Sequence, residues 1–331
     1  MKKQVIAVIL LVIAAVSFAD TNISAKNQED IESQYAAGLA LWLSHDYEEV
    51  FKCFKRLAEQ GHAQAQYNLG LLYRNGEGTL TDKKQAFYWF TRAAEQGLAG
   101  AQCNLGLLYD NGEGTLADKK KAFYWFTQAA EQGDAQAQCN LGVLYSNGEG
   151  TLTDKKKAFY WYTQAAEQGL ASAQYNLGLL YSHGEGTLTD KKKAFYWYTQ
   201  AAEQGLAAAQ HNLGVLYSNG EGTLTDKKKA FYWFTQAAEQ GDAQAQCNLG
   251  VLYRKGEGTL TDKKKAFYWY TQAAEQGLAQ AQYNLGILYY FGVGTSADMK
   301  QAACWIKKAY ENGIGNAKDF WEEKELWQYE E

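Results

Sequence analysis

The sequence contains no proline, so no helix is kinked or stopped by a pyrrolidine ring, and every break between elements falls to glycine and polar caps. Basic excess is also missing: the net charge is −5 and the Lys-rich segments are interleaved with Asp and Glu, which supplies no field for phosphate contacts and argues against nucleic acid as a partner. Histidine is scarce. His45, His62, His183 and His211 show no H-E-x-x-H or comparable spacing, so a catalytic zinc is unsupported. No serine is followed three residues later by lysine, which removes the nucleophile-and-base pattern of serine β-lactamases. The five cysteines, Cys53, Cys103, Cys139, Cys247 and Cys304, cannot all pair within one chain, so mostly free or buried thiols are expected. No metal or other cofactor is expected.

Long apolar runs are absent except at the start. Lys2 and Lys3 precede an apolar run from Val5 to Val16 and then Ser17-Phe18-Ala19, with small residues where a signal peptidase inspects the chain. Residues 1–19 therefore read as an export signal cleaved after Ala19, followed by a polar linker over 20–30. The run is short for a transmembrane span and no basic cluster follows to stop transfer. The compact Lys-Lys start looks bacterial, which predicts a periplasmic or secreted protein.

What the chain has in abundance is repetition. The pair Leu-Gly recurs at Gly70, Gly106, Gly142, Gly178, Gly214, Gly250 and Gly286, a constant step of 36 residues. The unit reads A-x-A-Q-x-N-L-G-x-L-Y, a G-E-G loop, then T-L-T-D-K-K-K-A-F-Y-W-[FY]-T-Q-A-A-E-Q-G. Each unit predicts two helices, A and B. In one copy, A runs from about Ala99 to Tyr109, with Ala101, Leu105 and Leu108 on one face, and B from about Asp118 to Gln132, with Ala122, Trp125 and Ala129 on another. Asp118 is placed to cap helix B and Gly133 to end it. Hairpins of this kind cannot bury their apolar faces alone, so the predicted fold is all-α: an α/α solenoid, or superhelix, of antiparallel hairpins. The predicted organisation is a divergent capping hairpin over 31–61, seven repeats over 62–313 and a C-terminal capping helix over 314–331.

With these motifs in seven registered copies, the chain resembles the Sel-1-like repeat family, relatives of tetratricopeptide repeats. The resemblance covers nearly all of the chain after the signal. It implies an α/α solenoid and, most often, a scaffold or adaptor that holds a protein or peptide on its inner, concave surface. It also brings two competitors. A cysteine-rich secreted branch is linked to penicillin binding and β-lactamase activity, but its paired-cysteine pattern is missing here. The G-E-G carboxylates, identical down the array, lack the differing environments an acid and a base need. Some exported members neutralise toxins, which makes a periplasmic immunity protein the second reading.

Near-identical copies show where the units differ. In one copy the differing positions are Gly100, Cys103, Leu107 and Asp110, a stripe at i, i+3, i+7 and i+10 on helix A. Its second position reads Tyr67, Cys103, Cys139, Tyr175, His211, Cys247 and Tyr283 down the chain. Tyrosine gives large contact area at low entropic cost, so Tyr67, Tyr175, His211 and Tyr283 are candidate partner-binding residues, against the plain reading of a drifting surface. A second ladder, Asn104, Asn140, Asn176, Asn212 and Asn248, places an amide at a fixed interval, suited either to an extended peptide backbone or to groups of the neighbouring hairpin. Tyr88, Tyr124, Tyr160, Tyr196, Tyr232 and Tyr268 are expected to face outward, and the Lys runs to form a solvated face.

Overall fold

The computed structural model describes residues 30–329, and among them every regular element is helical, with no strand. The predicted export signal and nearly all of the polar linker lie outside the described residues. The fold is an all-α solenoid of helical hairpins at the 36-residue step. The chain divides into two compact units, Met1–Thr153 and Asp154–Glu331, each a run of stacked hairpins.

The first unit holds α1 over 30–43, α2 (Tyr47–Glu59), α3 (Ala63–Asn75), α4 (Lys83–Glu95), α5 (Ala99–Asn111), α6 (Lys119–Glu131) and α7 (Ala135–Asn147). The second holds α8 (Lys155–Glu167), α9 (Ala171–His183), α10 (Lys191–Glu203), α11 (Ala207–Asn219), α12 (Lys227–Glu239), α13 (Ala243–Lys255), α14 (Lys263–Glu275), α15 (Ala279–Phe291), α16 (Met299–Glu311) and α17 (Gly315–Glu323), closed by a 3-10 turn, Leu326–Tyr329. From α3 to α15 the odd-numbered helices are A helices, and from α4 to α16 the even-numbered are B helices.

Local chemistry sets the helix ends where the sequence placed them. Asp118 caps α6 by accepting from the backbone N–H of Lys120 and Lys121, both at 3.1 Å, which offsets three lysines at the positive end of the helix dipole. Gly112, at φ 71°, ends α5. Ala101, Leu105 and Leu108 are buried against Phe90, Ala93 and Ala94 of the preceding B helix, with Trp125 packed on the same cluster. Each core therefore spans two hairpins, the physical reason one hairpin cannot stand alone. Gly106 admits the buried ring of Phe126, whose carbons lie 2.7 Å from where a Cβ would stand. Burying such a ring stabilises by about 2–3 kcal/mol.

Two polar systems tie hairpin to hairpin. Buried Gln102 at the start of α5 donates to the Ala94 carbonyl at the end of α4 (3.2 Å) and accepts from Gln132 after α6 (2.7 Å). Gln66, Gln174, Gln210 and Gln246 repeat the arrangement, and at Gln282 the donor is Asn312, at 2.9 Å. The second system is a clasp between loops. The first lysine of helix B reaches the G-E-G glutamate of the next repeat: Lys83–Glu113 at 3.2 Å and Lys119–Glu149 at 2.8 Å in the first unit, Lys191–Glu221 and Lys227–Glu257 at 3.1 Å in the second. Beside it Gly114, at φ 71°, brings its Cα so close to the Lys83 carbonyl that a Cβ would lie 2.1 Å from the oxygen.

The Lys runs form a largely solvated face, as expected, and these contacts give several of its members partners. Their first members are clasped to glutamate, and Lys121, Lys193, Lys229 and Lys265 stand 5.1–5.3 Å over the rings of Tyr109, Tyr181, Tyr217 and Tyr253. The middle lysines, such as Lys120 and Lys192, are exposed. The clasp pairs residues 30 apart in sequence, a distance that no within-helix periodicity reports.

The ends are covered. Tyr35 of α1 packs on Phe54, and Arg56 donates to the Gln34 side chain at 3.0 Å. At the other end Ala317 and Leu326 are fully buried beneath α16, with Trp321 partly buried beside them.

Candidate partner-binding seam

The two candidate ladders lie on one seam, where consecutive A helices meet. In the first unit the Asn68 amide donates to the Tyr35 hydroxyl at 3.0 Å, and the Asn104 amide to the Tyr67 hydroxyl at 3.5 Å and to the Gly100 carbonyl at 2.8 Å. Arg74, from the last stripe position of α3, donates to the Asn104 Oδ1. In the second unit the Asn248 amide donates to the His211 Nε2 at 3.1 Å, and the Asn284 amide lies 3.9 Å from the Cys247 Sγ. From Asn104 onward these contacts follow one rule: the amide of one repeat meets the stripe residue of the repeat before it, 37 residues earlier, while Asn68 reaches the first hairpin at a distance of 33.

The seam varies in depth. Cys103, Cys139 and Cys247 are buried, and burial pushes the Cys247 thiol up to about 11 and raises Cys103 likewise, with Asp134 adding to the rise. Cys103 and Cys247 are therefore held in the protonated thiol form at neutral pH. Tyr67, Tyr175 and His211 are half-buried, each packed on the ring of its own helix B, Phe90, Tyr198 and Phe234, at 5.8 Å. Tyr283 is also half-buried, edge-on to Phe320 of the terminal helix. Asn140 accepts from Gln136 at 3.1 Å, while its amide nitrogen is buried without a partner. Asn176 and Asn212 are half-buried in the second unit. Beside the His211–Asn248 contact an open cavity of about 310 Å³ is lined by Ser218, Lys227, Phe234, Asn248, Lys255 and Glu257. The groups assembled here accept and donate hydrogen bonds and offer ring faces.

His211 makes the seam sensitive to acid. Asn248 donates to Nε2, so the proton sits on Nδ1 and is given to the Asn212 Oδ1 at 3.2 Å. Burial holds the imidazole below its ordinary range, and the Asp242 carboxylate and the Asn212 amide only partly offset it. Between that lowered value and about 6.5 the unfolded chain binds more protons than the folded one. The neutral ring's contribution is therefore intact above about pH 6.5 and is lost as pH falls through the folded value. Urea unfolding at pH 7.5 and at lower pH is expected to show a drop in the parent that shrinks in His211→Tyr, the residue that Tyr175 and Tyr283 already supply. An equal drop in both chains refutes this.

Other residues lie off the seam. Tyr88, Tyr124, Tyr160, Tyr196, Tyr232 and Tyr268 face outward and are 49–54 % exposed, each edge-on to the tryptophan next to it in the same helix. The sequence reading passed over the leucines of the T-L-T segment, although their recurrence without a helical partner was the available signal.

Comparison with known proteins places this architecture. A family model described as the Sel1 repeat matches eight consecutive segments: 32–62, 63–98, 99–134, 135–170, 171–206, 207–242, 243–278 and 279–314. The hairpin read as a divergent cap is thus matched as a repeat too. Among solved structures, the chain is 37% identical, with a TM-score of 0.78, to c5321, a protective antigen present in uropathogenic Escherichia coli strains, over 87% of this chain and 62% of that one. It therefore spans less than two thirds of that relative. A Sel1 repeat protein from Oxalobacter formigenes is 32% identical, with a TM-score of 0.65, over 89% of both chains. No curated protein matches the sequence.

Proposed function

We propose, because this chain belongs to the Sel1 repeat family, that it is a scaffold holding an extended protein or peptide segment along the seams between its A helices. A Sel1 repeat array is suited to protein–protein interaction, and proteins of this family are in general non-catalytic scaffolds. One observation carries the reading. Copies that are otherwise nearly identical differ along the stripe, and at its second position four of seven residues are half-buried Tyr or His, of which Tyr67 and His211 meet an amide of the next repeat. Aromatic rings with a polar edge and amides at a regular interval recognise a backbone and its side chains together. The export-like start, Lys2 to Ala19, supports a periplasmic or secreted address, and the Escherichia coli relative, a protective antigen, supports it further.

The test is capture of an envelope protein by the purified chain. Tyr175→Ala with His211→Ala is expected to reduce capture about tenfold at a temperature where circular dichroism shows parent and variant both folded, although the thermal midpoint falls because both rings pack in the seam. In a second variant, Asn176, Asn212 and Asn248→Ala, lost capture with intact melting assigns the amides to the partner, and lost folding assigns them to the seam alone. Unchanged capture in both variants overturns the reading.

A further inference from the structure

Six leucines belong to no core. Leu80, Leu116 and Leu152 in the first unit and Leu188, Leu224 and Leu260 in the second stand 87–88 % exposed. Each lies in the segment between the G-E-G loop and helix B. The clasps hold successive loops side by side, Lys83–Glu113 and Lys119–Glu149 in the first unit, Lys191–Glu221 and Lys227–Glu257 in the second, so each unit presents its three leucines along one edge.

The fold does not require these leucines. In the last repeat Ser296 occupies the equivalent position, and the loop keeps its form: Gly292 and Gly294 have φ 65° and 75°, and the Asp298 N–H donates to the Tyr289 carbonyl at 3.0 Å, as Asp118 does to Tyr109 at 2.8 Å. Six exposed leucines in register, at positions where serine serves the structure equally, point to a surface that meets something apolar.

Shape and charge decide what. Each leucine is followed within three residues by an Asp and a Lys, so the edge mixes apolar and charged side chains where the core of a protein interface is depleted of charge. A bilayer interface deforms around separate side chains and takes them one by one. Each leucine is followed four residues later in sequence by an exposed lysine: Lys84, Lys120, Lys156, Lys192, Lys228 and Lys264. Within residues 184–193 three lysines stand against Glu185 and Asp190, one net positive charge, although the whole chain carries −5. Local cations beside protruding leucines complement anionic headgroups. We propose that this loop edge, in each unit, is a peripheral docking edge for an anionic lipid bilayer.

The experiment is co-sedimentation of the full-length chain with vesicles of phosphatidylcholine containing a minor share of phosphatidylglycerol, and with phosphatidylcholine alone. The parent is expected to pellet with the anionic vesicles, and the variant with all six leucines replaced by Ser to bind about 100-fold more weakly. Its melting should match the parent's, as expected for side chains in solvent. Both chains carry residues 1–29, so their difference reads the edge alone. Changing Lys84, Lys120, Lys156, Lys192, Lys228 and Lys264 to Gln is expected to weaken binding about tenfold or more and to flatten its salt dependence. The proposal is overturned if the parent stays in the supernatant, if the six-serine variant binds as the parent does, or if neutral vesicles bind equally well. It is equally overturned if the serine changes abolish capture of a protein while vesicle binding is unmoved.

Discussion

Gly114→Ala is expected to destabilise the first unit by about 3 kcal/mol or more. The residue sits at φ 71°, and its Cβ would lie 2.1 Å from the Lys83 carbonyl oxygen and 3.2 Å from the Lys84 nitrogen. Both are backbone atoms of the first turn of α4, fixed by the Asp82 cap, which accepts from the Lys84 N–H at 2.9 Å. Nothing flexible is there to move aside, so the loop must lift and break the Lys83–Glu113 clasp with it. The left-handed conformation alone accounts for about 1–2 kcal/mol, and overpacking supplies the rest. Gly133→Ala is the control: its φ is 94°, but nothing lies within 4 Å of the added carbon. Urea unfolding followed by circular dichroism should therefore separate the two substitutions clearly. In a stacked array a weakened interface also uncouples its neighbours, so the Gly114→Ala transition should broaden or split. Equal effects of the two changes would show that the close approach contributes nothing.

Gln102→Ala is expected to cost about 2–3 kcal/mol, and Gln102→Leu about half that. The side chain is only 5 % exposed and joins the ends of two consecutive B helices. Truncation to Ala removes two hydrogen bonds and leaves a void. Leu fills the void, and the groups left behind have other partners: the Ala94 carbonyl still accepts from the Gly97 N–H at 2.9 Å, and exposed Gln132 turns to water. Thermal unfolding of the two variants beside the parent measures the split. If Leu costs as much as Ala, the hydrogen bonds outweigh the packing.

Much of this was legible in the sequence, for reasons that particular residues make clear. The 36-residue step and the 3.6-residue period are both local, so the hairpins, the Ala101–Leu105–Leu108 face and the Asp118 cap could be read directly. Contacts between repeats could not, because they depend on how one hairpin rises onto the next. That is why the Tyr-His stripe and the Asn ladder looked like separate features, although the structure joins them at residues 37 apart. The same gap hid the role of Gln102. Its spacing with Leu105 and Tyr109, i, i+3 and i+7, would have placed it on the packed side, but a polar residue that repeats draws attention as a binding group before it does as a structural one.

The clasp between loops has a consequence for how such a chain changes over generations. Every middle repeat offers the same lysine forward and the same glutamate back, so the acceptor of any copy fits the donor of any other. Deleting or duplicating one stretch of 36 residues, as slippage between near-identical coding segments would do, recreates the junction it destroys. The array can lengthen or shorten by whole copies with no compensating substitution, and its reach along a partner is open to selection independently of its stability.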